Sequence, residues 1–196
     1  MCGRYENKLT FESVIQYFIE QGITLEDLIS GNDKDKLDIR PTSSIVSVVK
    51  SGNKYSLCET NWGIKFSDKS PLIFNSRIET ITTKPFWKSS FGKNRALIPM
   101  SAFYEWQVID NKKVQSRIYL DDEDFFFVPA IYFEKDKKIF TSFVTVPPNK
   151  FMSSIHHRMP AILTKKSAVN IFTADTEEAI KMCKPYEGKM SVKRFK

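Results

Sequence analysis

Apolar residues near the start of the chain recur with helical spacing. They fall at positions i, i+3, i+4, i+7 and i+8, and they are Phe11, Val14, Ile15, Phe18 and Ile19. This spacing predicts an amphipathic helix over residues 11–20, with Thr10 as its N-cap. Thr24 and Asp27 stand three residues apart in a pattern that resembles a capping box, which predicts a second, short helix.

The centre of the chain carries β-branched and alternating apolar runs, which indicate strands. The predicted strands cover residues 45–49, 55–62, 95–107, 115–120, 125–133 and 139–146. Short helices are predicted at 85–91, 166–173 and 177–183, the first opened by Pro85 and the last capped by Thr176. Because polar turns join most strands without regular strand–helix alternation, we predict an α+β fold in a single domain over residues 1–196. Its core would be a curved antiparallel sheet or barrel with short peripheral helices.

Charge and cysteine content narrow the class of protein. The formal net charge is +7, which gives weak support to a polyanionic partner such as nucleic acid. The three cysteines, Cys2, Cys58 and Cys183, form neither a CxxC pair nor an even set. We therefore expect no metal centre, no disulfide framework and a reducing cytoplasm. No signal-peptide or membrane-spanning pattern appears, so no membrane association is expected.

Cys2 has the most distinctive chemistry in the sequence. If Met1 is removed, Cys2 carries an α-amine and a thiol on adjacent carbons. An amine with a pKa of about 7.7–8.0 is neutral often enough at physiological pH to attack an aldehyde. The neighbouring thiol can then close onto the imine carbon and form a thiazolidine. The pattern predicts an N-terminal nucleophile directed at a carbonyl group; a chance cysteine at a frayed terminus is the alternative.

Glu105 lies between Tyr104 and Trp106 inside an apolar strand. If its carboxyl group is buried there, desolvation raises the pKa toward the range that suits a general acid at neutral pH. The alternation of a strand equally allows Glu105 to face solvent while both aromatic rings face inward.

Two further segments concentrate polar side chains. Residues 75–79 place an amide, a guanidinium and a carboxylate within five positions, either as part of a site or as a capped turn with its own ion pair. His156 and His157 are the two histidines of the chain, and Arg158 follows them, which favours a functional role over a surface turn. Adjacent histidine side chains diverge, so we do not expect a zinc site.

Together these segments resemble the SRAP family, named for SOS-response-associated peptidases. The resemblance begins with Met-Cys-Gly-Arg at residues 1–4 and continues with Asn-Ser-Arg-Ile-Glu-Thr at residues 75–80. It ends with Phe-Tyr-Glu-Trp at residues 103–106 and His-His-Arg-Met-Pro at residues 156–160, in the family's order. His157 departs from the pattern, because the family usually has an aspartate there.

The resemblance implies a function in DNA damage. Members of the family bind single-stranded DNA and capture the ring-opened aldehyde of an abasic deoxyribose as a reversible thiazolidine crosslink. By that resemblance Cys2 would supply the amine and the thiol, and Glu105 would shuttle protons. His156 would assist sugar opening and crosslink reversal, and Asn75 would hold the N-terminal residue and the sugar.

The resemblance also implies a set of DNA contacts. Arginines would grip phosphates, a proline and a tryptophan would stack on bases, and a threonine would contact the sugar. The set is Arg4, Arg40, Arg77, Arg158, Pro41, Trp62 and Thr145. The expected partner is single-stranded DNA that contains abasic sites, with no cofactor. We expect a cytoplasmic monomer that joins the nucleoid when DNA is damaged.

Two other functions fit the same residues. A cysteine peptidase or self-processing N-terminal hydrolase would need a thiolate at Cys2, with His156 as base and Glu105 as acid. A binding module for single-stranded DNA would need only the charge and the aromatic side chains.

Overall fold

The computed structural model describes residues 2–26 and 36–195. Its strands in chain order are β1 (Tyr5–Asn7), β2 (Leu25–Glu26), β3 (Lys36–Ile39), β4 (Ser44–Ser51), β5 (Lys54–Trp62), β6 (Asn75–Arg77), β7 (Arg95–Met100), β8 (Ala102–Ile109), β9 (Lys112–Leu120), β10 (Phe126–Lys135), β11 (Lys138–Val146), β12 (Met159–Pro160) and β13 (Met190–Phe195). Its α-helices are α1 (Phe11–Glu20), α2 (Ile78–Thr83), α3 (Pro85–Lys93) and α4 (Thr176–Met182). Short 3₁₀ helices cover Met152–Ser154 and Ala168–Phe172.

Five long strands form a closed barrel. Their order is β11, β10, β7, β4 and β5, and the parallel pairing of Phe140 with Asn61 returns β11 to β5. Apolar side chains of these strands fill the interior, including Leu57, Ile98 and Phe143, which are fully buried. The predicted α+β fold with a barrel-like core and peripheral helices is therefore confirmed.

A second sheet packs beside the barrel, with strand order β13, β9, β8, β1 and β3. The chain passes from the barrel into this sheet at Ser101, whose backbone N–H donates to the carbonyl oxygen of Glu6. The strand predicted over residues 95–107 is thus two strands, β7 and β8, in different sheets. This change of sheet brings β8 beside the N-terminal strand β1, where Tyr5 pairs with Phe103.

The helix predictions are confirmed in part. Helix α1 begins after Thr10, whose side chain accepts from the N–H of Ser13 as the pattern predicts. The cap of α4 is Asp175 and not Thr176, because the Asp175 carboxylate accepts from the N–H of Glu178 in a capping box.

The helix predicted to open at Thr24 does not form over residues 25–26, where Leu25 pairs with Tyr55 as strand β2. Asp27 lies outside the described residues. The segment predicted as helix over residues 166–173 contains the 3₁₀ helix Ala168–Phe172. Within the described parts of the chain, no helix has the length and apolar character needed to cross a lipid bilayer.

Candidate active site

Cys2 lies in a closed environment just before β1, which begins at Tyr5. The residue is 1% exposed, and its carbonyl oxygen accepts a hydrogen bond of 2.9 Å from Asn75 Nδ2. Its Sγ lies 3.8 Å from the carbonyl oxygen of Arg4. Burial raises the pKa of the thiol, and the nearby Glu105 carboxylate raises it further. The thiol is therefore held in its protonated form, and the residue is ordered by specific contacts rather than frayed.

Asn75 stands at the start of β6, which pairs in parallel with β11 through Asn75 and Phe143. Its Nδ2 is directed at Cys2, so the orientation of the amide is fixed. Its Oδ1 is buried and has no hydrogen-bond partner among the residues that the structure describes. A buried amide oxygen without a partner is a ready acceptor for a hydroxyl or amine of a bound molecule.

Glu105 projects from β8 into the same region. The residue is 3% exposed, and burial raises the pKa of its carboxyl group to about 7. Its neighbour Trp106 is exposed, so the arrangement with Glu105 in solvent and both rings inward is wrong. A carboxyl group with a pKa near 7 can both accept and release a proton at physiological pH.

His156 completes the group of polar side chains. Its Nδ1 lies 3.8 Å from Glu105 Oε1 and accepts a hydrogen bond of 3.0 Å from the backbone N–H of Arg158. Nδ1 also lies 3.1 Å from the carbonyl oxygen of Arg158, so the backbone of Arg158 holds the ring on both sides of this nitrogen. Burial is the largest cause that lowers the pKa of His156, so the ring is neutral at physiological pH. The His157 ring stacks on it, with centroids 4.3 Å apart.

The structure therefore brings the four predicted catalytic residues to one place. Cys2 lies just before β1, and Glu105 lies in β8, which pairs with β1 in the second sheet. Asn75 arrives from β6, and His156 arrives from the loop between the 3₁₀ helix Met152–Ser154 and β12. Hydrogen bonds join Asn75 to Cys2, and a short distance joins Glu105 to His156.

Two arginines that border this site differ in their exposure and in their ion pairing. Arg77 is exposed at the end of β6 and is available to an anion. Arg158 is buried and binds Glu79 with both nitrogens, at 2.6 and 3.0 Å. Its Nη2 also donates to the carbonyl oxygen of Thr145 over 2.7 Å. A phosphate would have to replace Glu79 to make the contact predicted for Arg158.

Arg4 and Arg40 share one carboxylate. Arg4 Nε lies 2.8 Å from Asp38 Oδ1, and Arg40 binds both Asp38 oxygens at 2.9 and 3.1 Å. The hydrogen bond from Arg40 is the largest cause that lowers the pKa of Asp38. Two guanidinium groups on one carboxylate leave a local excess of positive charge, and the half-buried Pro41 follows directly.

The base-stacking role predicted for Trp62 is wrong for this structure. The indole is fully buried, its Nε1 donates to the carbonyl oxygen of Phe74 over 2.9 Å, and it stacks on Phe143 with centroids 4.4 Å apart. Closure of the barrel at the end of β5 places the ring in the core. Thr145 is also fully buried, and its Oγ1 lies 3.4 Å from Arg158 Nη2.

The chain is similar in sequence to one family of known proteins. The sequence matches the family model described as SOS response associated peptidase (SRAP) over residues 1–195. Abasic site processing protein YobE of Bacillus subtilis is 28% identical over 202 residues, which cover 95% of this chain and 90% of YobE. Abasic site processing protein YoaM of the same organism is 30% identical over 175 residues, which cover 83% of this chain and 75% of YoaM.

Solved structures share the fold. A protein from Bacteroides thetaiotaomicron superposes with a TM-score of 0.79 at 21% identity, covering 100% of this chain and 92% of that one. A phage-related protein from Bordetella bronchiseptica superposes with a TM-score of 0.76 at 20% identity, covering 99% of this chain and 94% of that one. The barrel and the second sheet thus form an architecture found in other proteins.

Proposed function

Because the chain belongs to the SOS response associated peptidase family, we propose that it captures abasic sites in single-stranded DNA as a covalent crosslink through Cys2. The names of its relatives YobE and YoaM support abasic-site processing. The proposal rests on the convergence of four residues, Cys2, Asn75, Glu105 and His156. Together they supply a nucleophile, a hydrogen-bond acceptor for the sugar, and groups that can carry protons.

The chemistry proceeds in two balanced steps. After removal of Met1, the α-amine of Cys2 attacks the aldehyde carbon of the ring-opened deoxyribose, and the carbinolamine loses water to form an imine. The thiol then adds to the imine carbon: a C–S bond forms, and the thiol proton is transferred to the nitrogen. The product is a thiazolidine, and the complete reaction releases one water molecule.

Glu105 is suited to carry the protons of both steps. A pKa of about 7 lets its carboxylate take a proton from the attacking amine and return it to the departing hydroxyl group. His156, whose Nδ1 lies 3.8 Å from Glu105 Oε1, is positioned to assist sugar opening and lyase-like reversal of the crosslink. The unpartnered Oδ1 of Asn75 would accept a sugar hydroxyl while Nδ2 keeps Cys2 in place.

The raised pKa of the Cys2 thiol favours capture over peptidase chemistry. A cysteine peptidase attacks with a thiolate, which requires a lowered pKa, whereas burial and Glu105 act in the opposite direction here. In the capture reaction the amine attacks first, and the thiol needs only to lose its proton as it adds to an activated imine. Peptidase or self-processing activity at Cys2 remains the second candidate.

DNA would reach the site along its arginines. Arg77 offers an exposed guanidinium to a phosphate, and Arg4 and Arg40 extend the positive region beside Pro41. Arg158 would join them if a phosphate displaced Glu79, which would also expose Thr145 to the sugar. These contacts are independent of base sequence, as capture of a lesion that lacks a base requires.

Intact-mass measurement tests the proposal. The intact mass of the purified protein is measured before and after incubation with a single-stranded oligonucleotide that carries one abasic site. We expect loss of Met1 and then a mass equal to protein plus oligonucleotide minus one water. Cys2→Ser should give no stable adduct, whereas Cys183→Ser, which alters another buried cysteine, should react like the parent protein. A protein with a free Cys2 amine and no adduct would contradict the proposal.

A further inference from the structure

One face of the second sheet points away from the core. Residues paired directly across antiparallel strands share a face, so Tyr104 lies with Arg117 and Lys193, and Trp106 lies with Gln115 and Phe195. The opposite face holds Phe103 and Ile118, which are fully buried. We use the name outer sheet face for Arg4, Tyr104, Trp106, Lys113, Lys193 and Phe195.

Aromatic rings and cations alternate on the outer sheet face. The Arg4 guanidinium lies 4.7 Å from the Tyr104 ring, whose centroid is 6.5 Å from that of Phe195. Lys113 lies 5.8 Å from the Trp106 ring. Lys193 lies at the same distance, 5.8 Å, from the Phe195 ring. Trp106 is 36% exposed and Phe195 39%, so both rings are accessible to a partner.

Positive charge is unevenly distributed over the outer sheet face and its surroundings. Among the described residues, Lys113 and Lys193 form no ion pair, whereas Arg117 is neutralised by Glu6. Beyond Arg117 the sheet borders a groove of about 840 Å³ whose lining has two cations, Lys8 and Arg117, against four carboxylates. The carboxylates are those of residues 121–124, and their excess of negative charge would repel phosphates. A polyanion would therefore follow the path from Arg4 toward Lys193 and Phe195 rather than enter the groove.

We propose that the outer sheet face binds the unpaired DNA strand that flanks the captured lesion. Trp106 and Phe195 stack on bases, and Lys113 and Lys193 contact phosphates. Aromatic side chains interleaved with cations on a sheet surface suit single-stranded nucleic acid, because every base offers a π face regardless of sequence. Glu105 projects from the opposite face of β8, so a strand that occupies both sites passes around the sheet at Arg4, two residues after Cys2. The inference rests on the proposed function.

Binding measurements in a Cys2→Ser background separate this surface from the chemistry. Fluorescence anisotropy compares a pentanucleotide that contains the abasic site with a long oligonucleotide of about 20 nucleotides. Phe195→Leu should weaken binding of the long oligonucleotide by about fivefold or more, because it removes a stacking ring. Phe195→Trp should bind like the parent, and neither change should alter binding of the pentanucleotide.

The phosphate contact proposed for Lys193 is tested by the salt dependence of binding. Lys193→Gln should reduce the slope of log K against log salt by about 0.7 for the long oligonucleotide, the value for one phosphate contact on a single strand. Ile19→Ala on α1 and Lys181→Gln on α4 remove an exposed apolar side chain and a lysine outside the face, and they should change neither quantity. Thermal melting checks that each variant is folded.

Two results would overturn the inference. The first is equal affinity of Phe195→Leu and Phe195→Trp for the long oligonucleotide. The second is the same loss for both oligonucleotides, which would place Phe195 at the lesion itself. Crosslinking of the pentanucleotide by the protein with Cys2 intact reports on the proposed function alone. Failure of the proposed function and failure of the strand-binding inference can therefore be told apart.

Discussion

The side-chain amide of Asn75 donates a hydrogen bond from Nδ2 to the carbonyl oxygen of Cys2 over 2.9 Å. The bond links β6, which pairs with the barrel strand β11, to the residues that lead into β1 of the second sheet. The position of Cys2 thus depends on contact between the two sheets. A terminal residue with few restraints would sample many orientations, and alignment with an electrophile would cost entropy.

Asn75→Asp should slow crosslinking, because a carboxylate cannot donate to the Cys2 carbonyl and places an acceptor against an acceptor. We expect the rate to fall by about fivefold to a hundredfold, from a buried hydrogen bond worth about 1–3 kcal/mol. Quenched time courses with an abasic oligonucleotide measure the rate. Asn61→Asp removes a comparable amide donor that binds the carbonyl oxygen of Ile139, so it is the matched control and should keep the parent rate. Equal rates for the two variants would contradict the positioning role.

Glu105→Gln should remove a step in the pH dependence of crosslinking. The carboxylate forms as pH rises through its pKa of about 7, so the parent rate should rise there. The amine of Cys2 also titrates, but it does so in both proteins. The ratio of parent to variant rates across pH 5.5 to 9 therefore isolates Glu105. A constant ratio would show that this carboxyl group does not carry the proton.

Glu105→Gln should also change the pH dependence of stability. The stability of the parent should fall as pH rises, whereas its crosslinking rate should rise. The folded pKa of about 7 lies above the ordinary value of 4.5, so the folded state binds more protons between these values and loses stability as pH rises through them. Glu105→Gln should therefore be more stable than the parent at pH 8, by on the order of 2–3 kcal/mol. The difference should shrink toward pH 5. Urea unfolding at both pH values measures it, and a pH-independent difference would contradict the assignment.

Local patterns in the sequence predicted much of the fold. The spacing of Val14 and Phe18 predicted α1, and both side chains are buried. The alternation around Glu105 could not decide which face of β8 is buried, because both arrangements satisfy a period of two. The choice is made by the turn at Ser101, which moves the chain from the barrel to the second sheet.

Burial that depends on distant pairing could not be predicted. Trp62 stands at the end of an ordinary strand in the sequence, and only the pairing of Thr141 with Trp62 places it inside the barrel. The partner of Arg158 was hidden for the same reason, since Glu79 lies 79 positions away. In the sequence, only the family resemblance grouped the four catalytic candidates into one site. Their spacing alone left a non-catalytic interpretation open for each of them.

Trp62→Ala should destabilise the protein without a specific effect on DNA contacts. Truncation of a fully buried aromatic side chain costs about 3–5 kcal/mol, so the midpoint of thermal unfolding should fall by many degrees. Trp62→Phe retains a ring against Phe143 and should bind DNA like the parent once the folded fraction is taken into account. Weaker binding by a fully folded Trp62→Phe would indicate that the indole leaves the core when DNA binds.

Arg77 and Arg158 should respond differently to loss of charge. Arg77→Gln removes an exposed guanidinium, so it should reduce the salt slope of binding to single-stranded DNA by about 0.7 with little change in melting temperature. Arg158→Gln instead breaks a buried pair with Glu79 and a bond to Thr145, so its melting temperature should fall. Anisotropy titrations over a salt series and thermal melts of both variants measure the two effects. A reduced salt slope for Arg158→Gln with unchanged melting would show that DNA displaces Glu79 and takes this guanidinium.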